Sequence, residues 1–274
     1  MAAHPTAGHT NALRAIGTRL LASGHAVAMS MAAPSLPWPR LWPEPLQVAA
    51  SLPAAFAARG IELLPLRPPP GLLWHAGRIA HKTGYAELTV AIELFTSGLV
   101  GQARQLAAHA KRWRASVVVG DYLMPAAMLA ARLSGLPYAA VYHSALPFPL
   151  ADGPPFGSGL RIADRTSHRW REAEQTLERI ARRFEARVLR AGRTLGLGQG
   201  DLDALLTRPV SRELNLLLTT PELEPGLAPL AGPVRMIGPC IGKQPHDEDH
   251  EATHVCACSA ASRRSRSSTS WTWW

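Results

Sequence analysis

The chain has 274 residues, enough for one large α/β domain or two small ones. Hydrophobic residues make up 47 % of it and charged residues 18 %, which excludes a disordered polyampholyte. The formal charge is +9, carried by arginines and only three lysines (Lys82, Lys111, Lys243), yet no nucleic-acid motif accompanies it and aromatics are only 6 %, so no nucleic acid is expected as a partner.

No stretch of about 18 apolar residues runs free of charge or proline, so no spanning helix is expected. The opening Met1-Ala2-Ala3-His4-Pro5 lacks the layout of a signal peptide. The cysteines (Cys240, Cys256, Cys258) all fall late, which excludes a disulfide framework and points to a reducing cytoplasm.

In chain order, Leu13, Ile16, Leu20 and Leu21 recur at helical spacing across residues 11–23, and Gly24 supplies the stop. Residues 26–31 read as a buried strand, 46–58 as a helix closed by Gly60, and 61–66 as a second strand. Residues 67–84 read as a Pro/Gly-rich loop and 85–113 as one long helix. Residues 116–120 form a β-branched strand ending in Asp121. A helix over 125–134, stopped by Gly135, leads to a strand over 137–142.

Residues 161–193 are rich in arginine, but Leu177, Ile180, Phe184 and Val188 keep one apolar stripe. That is a helix with a basic outer face, suited to solvent or to peripheral contact with an anionic membrane. Residues 214–218 and 234–237 are further strands. After Gly242 the apolar periodicity ends, and 243–274 read as a disordered or frameshifted tail. The tail's His246, Asp249, His250, His254, Cys256 and Cys258 do not have structural-zinc spacing, so no metal is expected there. The glycines between Gly196 and Gly200 fit neither a dinucleotide fingerprint nor a P-loop.

Short apolar strands alternating with amphipathic helices define an α/β, Rossmann-like, doubly wound parallel sheet. Ligands of such sheets bind beyond the carboxyl ends of the strands, so residues that follow strands carry the chemistry. His9 stands in a small-residue turn, Ala7-Gly8-His9, expected just before the first helix. Imidazole is the side chain whose ordinary pKa, ~6.5, suits proton abstraction at neutral pH. Asp121 follows the β-branched strand, where it serves either as a helix N-cap or as a carboxylate that orients His9.

Gly8-His9-Thr10-Asn11-Ala12-Leu13 and the run from Arg19 to Val27 resemble the opening of UDP-glycosyltransferases of the GT-B fold. The resemblance continues in Val117-Val118-Val119-Gly120-Asp121, Ser134-Gly135-Leu136-Pro137, Thr220-Pro221-Glu222-Leu223-Glu224 and Val234-Arg235-Met236-Ile237-Gly238-Pro239. It covers residues 1–242 and is most similar to bacterial carotenoid (zeaxanthin) and macrolide glucosyltransferases. It implies the N-terminal, acceptor-binding half of a GT-B fold, with His9 as general base and Asp121 as its partner. The implied reaction is inverting transfer of a hexose from a nucleotide sugar, UDP-glucose in the family, to a hydroxyl of a lipophilic acceptor. The nucleotide sugar is a co-substrate, and no cofactor or metal is implied. Trp74, His75, His143, Ser144 and Phe148 are the candidates for the acceptor pocket, which needs apolar walls and a few polar anchors.

The sequence departs from the family at both ends. No donor signature follows Cys240, so the C-terminal donor domain is expected to be absent and the chain inactive alone. Only residues 1–5 stand where the central opening strand belongs, so that strand reads as truncated. The alternative is a non-catalytic domain that binds a lipophilic ligand or a partner.

Overall fold

Among the described residues six short strands form the frame, and all run parallel: β1 (Ala28–Met31), β2 (Glu62–Pro65), β3 (Val118–Asp121), β4 (Tyr138–Tyr142), β5 (Leu214–Leu217) and β6 (Val234–Met236). The computed structural model describes residues 1–4, 7–32, 44–79, 81–143, 153–205, 210–220, 222 and 233–239, except the side chains of 7, 44–49 and 204. The expected tail over 243–274 lies outside the described residues.

β1 pairs with β2, and β3, β4, β5 and β6 follow one another in a second ladder. Between the two runs lies the opening segment of the chain. Ala2 bridges Ser30 of β1 and Gly120 of β3, both in parallel sense. The Ala2 N–H donates to the Val119 carbonyl at 2.9 Å, and the Asp121 N–H donates to the Ala2 carbonyl at 3.1 Å. On the other edge the Ser30 N–H donates to the Met1 carbonyl at 2.8 Å, and the Met1 nitrogen donates to the Ala28 carbonyl at 2.7 Å. Three residues thus occupy the central place in the sheet, and backbone pairing on both edges carries them.

The helices are α1 (Ala7–Ala22), α2 (Glu44–Ala57), α3 (Leu72–Ile79), α4 (Gly84–Phe95), α5 (Leu99–Arg112), α6 (Pro125–Ser134), α7 (His168–Thr194) and α8 (Gln199–Ala204). Gly24, Gly60 and Gly135 hold positive φ just beyond α1, α2 and α6, the conformation in which helix ends favour glycine.

Three expectations are corrected. The loop over 67–84 contains α3, whose eight residues are too short for a clear periodic signal. The long helix over 85–113 is two helices: Thr96 closes α4, and Gly98 at φ 71° opens α5, a left-handed position that a continuous helix cannot hold. The first helix starts at Ala7, not at 11, so Gly8 and His9 lie in its first turn.

Alternation along the strands sorts the core into two clusters, as a sheet covered on both faces requires. Val118, Tyr138, Ala140 and Tyr142 pack with residues of α5, α6, α7 and α8. Val119, Ala139 and Val141 pack with Ala12 and Leu13 of α1 and Leu52 and Phe56 of α2. Gly120 points to the first side, where α6 comes so close that a Cβ would stand 2.7 Å from the Ala127 Cβ. Asp121, one residue on, points to the side of α1. That parity positions the site.

α7 buries Trp170, Ala173, Ile180, Val188 and Ala191 and turns its arginines outward. Its start is fixed by Ser167, whose hydroxyl oxygen accepts from the Trp170 N–H at 3.2 Å. No described helix is long and apolar enough to cross a membrane.

Candidate active site

The site lies where β3 and β4 end beneath the first turn of α1. Asp121 is 1 % exposed, and its Oδ1 accepts the Leu123 N–H at 2.7 Å, a local turn that fixes the carboxylate plane. Oδ2 is left for two imidazoles. The Nδ1 of His9 lies 2.6 Å from it and the Nδ1 of His143 lies 3.0 Å from it. Both rings are about nine-tenths buried, at 11 % and 12 % exposed. Burial works against ionisation of Asp121, but the positive forms of His9 and His143 outweigh it and hold the carboxyl below the usual carboxylate range.

The two contacts differ in kind. His9 Nδ1 donates to Oδ2 in a short hydrogen bond, the length expected when the acceptor is charged. The Nδ1 of His143 is buried and not aligned for a hydrogen bond, so its 3.0 Å approach is electrostatic. The two rings lie 4.2 Å apart, tilted by 53°.

His4 and Phe95 complete the cluster, and sequence reasoning missed both. The His4 ring stacks on Phe95 with centroids 4.2 Å apart, and each meets the His9 ring, at 5.9 Å and 5.5 Å. His4 Nε2–H donates to the Leu123 carbonyl at 3.0 Å. Burial, helped by the neighbouring His9, lowers the His4 pKa to about 4, so His4 is a neutral strut at physiological pH. No spacing rule marks a histidine in a four-residue opening segment or the last residue of an apolar helix.

The other candidates fall elsewhere. Trp74 and His75 lie together on α3, with ring centroids 4.9 Å apart, and no described contact links them to Asp121. Trp74 is 63 % exposed beneath the Arg78 guanidinium, which lies 4.5 Å from its ring and 2.7 Å from Glu93. Burial lowers the His75 pKa, and its Nδ1 has no hydrogen-bond partner. Ser144, Phe148 and the tail residues His246 to Cys258 lie outside the described residues. A separate cavity of about 750 Å³ opens between α4, α5 and α7, with walls that include Ile92, Thr96, Ile180, Arg183, Arg187 and Arg190.

His9, Asp121 and His143 are also the one described group whose donor atoms come close enough to hold a cation, all within 4.8 Å. A separation of 2.6 Å is a hydrogen-bond length with a proton between the atoms. Two ligands about 2.0 Å from one tetrahedral ion would stand farther apart. The arrangement is that of a hydrogen-bonded dyad.

No protein-family model matches the chain, and no curated protein matches it. Solved structures do. The glycotransferase of kitacinnamycin superposes with a TM-score of 0.54 at 21 % identity, over 92 % of this chain and 54 % of that one. The glycosyltransferase SnogD from Streptomyces nogalater gives 0.47 at 16 % identity, over 92 % and 54 %. UGT2 of Phytolacca americana, complexed with UDP-2fluoro-glucose and pterostilbene, gives 0.46 at 15 % identity, over 89 % and 55 %. The fold is therefore that of the N-terminal half of a GT-B glycosyltransferase. The chain spans about half the length of the structures it matches.

Proposed function

We propose that residues 1–242 form the acceptor-binding domain of a UDP-glycosyltransferase-type enzyme, and that His9 is its general base. The observation that carries this reading is the 2.6 Å contact between His9 Nδ1 and a buried carboxylate at the end of the central strands of this fold. Asp121 accepts a hydrogen bond from His9 Nδ1–H and thereby fixes the tautomer, leaving the Nε2 lone pair of His9 to receive a proton. An alcohol is a poor nucleophile at neutral pH. In this reading Nε2 takes its proton as the oxygen attacks the anomeric carbon of a nucleotide sugar. The new C–O bond forms on the face opposite the leaving group, the bond to the diphosphate breaks with its electron pair, and the configuration inverts. Asp121 stabilises the imidazolium that results, without itself taking the proton.

The acceptor in this reading is a lipophilic alcohol of the carotenoid or macrolide kind, and the donor is UDP-glucose. Trp74, His75, His143, Ser144 and Phe148 are proposed as acceptor contacts. The arginines on the outer face of α7 supply peripheral contact with an anionic membrane, which sedimentation with phosphatidylglycerol vesicles at low and moderate salt measures. Transfer of labelled hexose to a lipophilic alcohol, by the protein that carries this chain, tests the main reading. His9→Ala is expected to abolish transfer, with a loss on the order of 10²–10⁴-fold. Full activity in that variant sinks the reading. The second reading is a non-catalytic domain that binds a lipophilic alcohol, or a partner, without turnover. Retained alcohol binding with no transfer in any assay favours it.

A further inference from the structure

The Asp121 carboxylate has two claimants. Oδ1 is taken by the Leu123 N–H, so a single atom, Oδ2, faces both His9 Nδ1 at 2.6 Å and His143 Nδ1 at 3.0 Å. Strand parity brings this about. Asp121 and Val141 are register partners in the β3–β4 ladder, and His143 lies two residues beyond Val141. His143 thus leaves β4 on the same side of the sheet as Asp121, under the first turn of α1.

The proton on His143 can be located by elimination. If its Nδ1 were bare, a nitrogen lone pair would face a carboxylate oxygen at 3.0 Å inside a site that is 1 % exposed at the carboxylate. Two acceptors at that distance, shielded from water, repel strongly. Nδ1 of His143 therefore carries a hydrogen, and in the neutral ring Nε2 is then bare, the same tautomer that His9 needs. The His143 N–H is off line, while that of His9 is in line. With the rings 4.2 Å apart and tilted by 53°, a modest rotation of His143 would bring its N–H onto Oδ2.

We propose that His143 is a positioning residue that shares the Asp121 carboxylate with His9 and so sets how much of its negative charge supports His9 as a base. The inference rests on the reading of His9 and Asp121 as the working pair and adds a third member to it. Each N–H that draws on Oδ2 reduces what the carboxylate offers the other ring. While His9 is neutral the charge is divided. When His9 takes a proton, Oδ2 commits to it and the His143 contact loosens. His143 acts through Asp121 and need not touch the acceptor. The other titratable groups around the pair are His4 on the opening segment, Tyr122 beyond β3, and Tyr138 and Tyr142 on β4. His4 is neutral above about pH 4, and burial keeps the Tyr138 phenol protonated, so neither supplies a competing charge at neutral pH.

The test is a nitrogen-15 NMR titration of the histidines in this chain, which reads tautomer and midpoint without any turnover. Both His9 and His143 are expected to show protonated Nδ1 and bare Nε2 in their neutral forms. His143→Phe keeps the ring volume and removes the N–H, and the His9 midpoint is expected to move upward. His143→Asn places an amide donor near the Nδ1 position, and the His9 midpoint is expected to return toward its original value. His143→Leu, which also lacks a donor, serves if the Phe variant does not fold. An unchanged His9 midpoint in a folded variant that keeps no donor at position 143, or a neutral His143 protonated at Nε2, overturns the proposal. Asp121→Asn separates this from the parent reading. If that substitution moves His9 and His143→Phe does not, only the sharing fails. If neither moves His9, the pair itself fails.

Discussion

His9 Nδ1 and Asp121 Oδ2 stand 2.6 Å apart although 112 positions separate the residues in sequence. The carboxyl is held below its ordinary range by the two positive imidazole forms against the opposing effect of burial. A carboxyl with a lowered folded-state pKa contributes stability that is fully present above its unfolded value, ~3.9, and is lost as pH falls through the folded value. Asp121→Asn is therefore expected to cost about 1–3 kcal/mol at pH 7, the price of a charged hydrogen bond in a buried site. The cost is expected to grow between pH 7 and pH 5, because imidazoles that gain a proton there lose their counter-charge in the variant, and to shrink only in stronger acid, where Asp121 itself takes a proton. Urea unfolding of both proteins at pH 7, 5 and 3 measures it, and a difference that shrinks between pH 7 and pH 5 contradicts the argument.

His4 gives the opposite side of the histidine balance. Its folded pKa of about 4 lies below the ordinary 6.5 because burial penalises the imidazolium. Below pH 6.5 the unfolded chain binds a proton that the folded chain refuses, so stability falls as pH drops from 6.5 toward 4. At 1.36 kcal/mol per unit the loss amounts to roughly 3 kcal/mol at pH 4. His75 and His109, also lowered by burial, add in the same direction. His4→Gln keeps a donor for the Leu123 carbonyl and removes the titration. Thermal unfolding is expected to show a shallower decline between pH 6.5 and pH 4 in that variant than in the parent chain.

The alternation of strands and helices, and with it the parallel sheet, was legible because buried strands write apolar β-branched runs such as Val118-Val119, although Val117 just ahead of them is exposed. His9 and Asp121 were legible because each stands beside a strand end. His143 was singled out for the same reason, but for the acceptor wall. Its approach to Asp121 depends on the β3–β4 register, which no local pattern states. The break at Thr96-Ser97-Gly98 was hidden because apolar residues continue on both sides of it, and one glycine is tolerated in a helical pattern. The place of residues 1–3 in the sheet was hidden too. Their pairing is made by backbone atoms, to which Ala2 and Ala3 contribute no side-chain signature.

Gly120 is expected to reject any side chain. An added Cβ would lie 2.7 Å from the Ala127 Cβ and 3.0 Å from Tyr138, neither of which is the free end of a flexible chain. Gly120→Ala must separate α6 from β3 or tilt the Tyr138 ring, at a cost of about 1–3 kcal/mol. Ala127→Gly opens the space at a helix-propensity cost of roughly 1 kcal/mol. Added to Gly120→Ala it is expected to cost less than the sum of the two single changes, since the residues share one contact. A double-mutant cycle by chemical denaturation checks this, and simple additivity would show that the contact is not what makes glycine necessary.

Leu13 ties the stability of the fold to the placement of His9. It is fully buried, four residues after His9 on α1, and packs among Met29, Phe56, Val119 and Val141. Residues four apart share a helix face, so the leucine that anchors α1 on the sheet also turns His9 toward the strand ends. Leu13→Ala removes buried methyl groups with little room for collapse and is expected to cost about 2–5 kcal/mol. Arg19→Ala, on the exposed side of the same helix, should stay within about 0.5 kcal/mol of the parent. In folded Leu13→Ala the neutral His9 should keep its Nδ1 proton on Asp121, because the short hydrogen bond lies outside the new cavity. If the nitrogen-15 spectrum instead shows His9 released while the chain stays folded, then the bond depends on the Leu13 anchor and has little strength of its own.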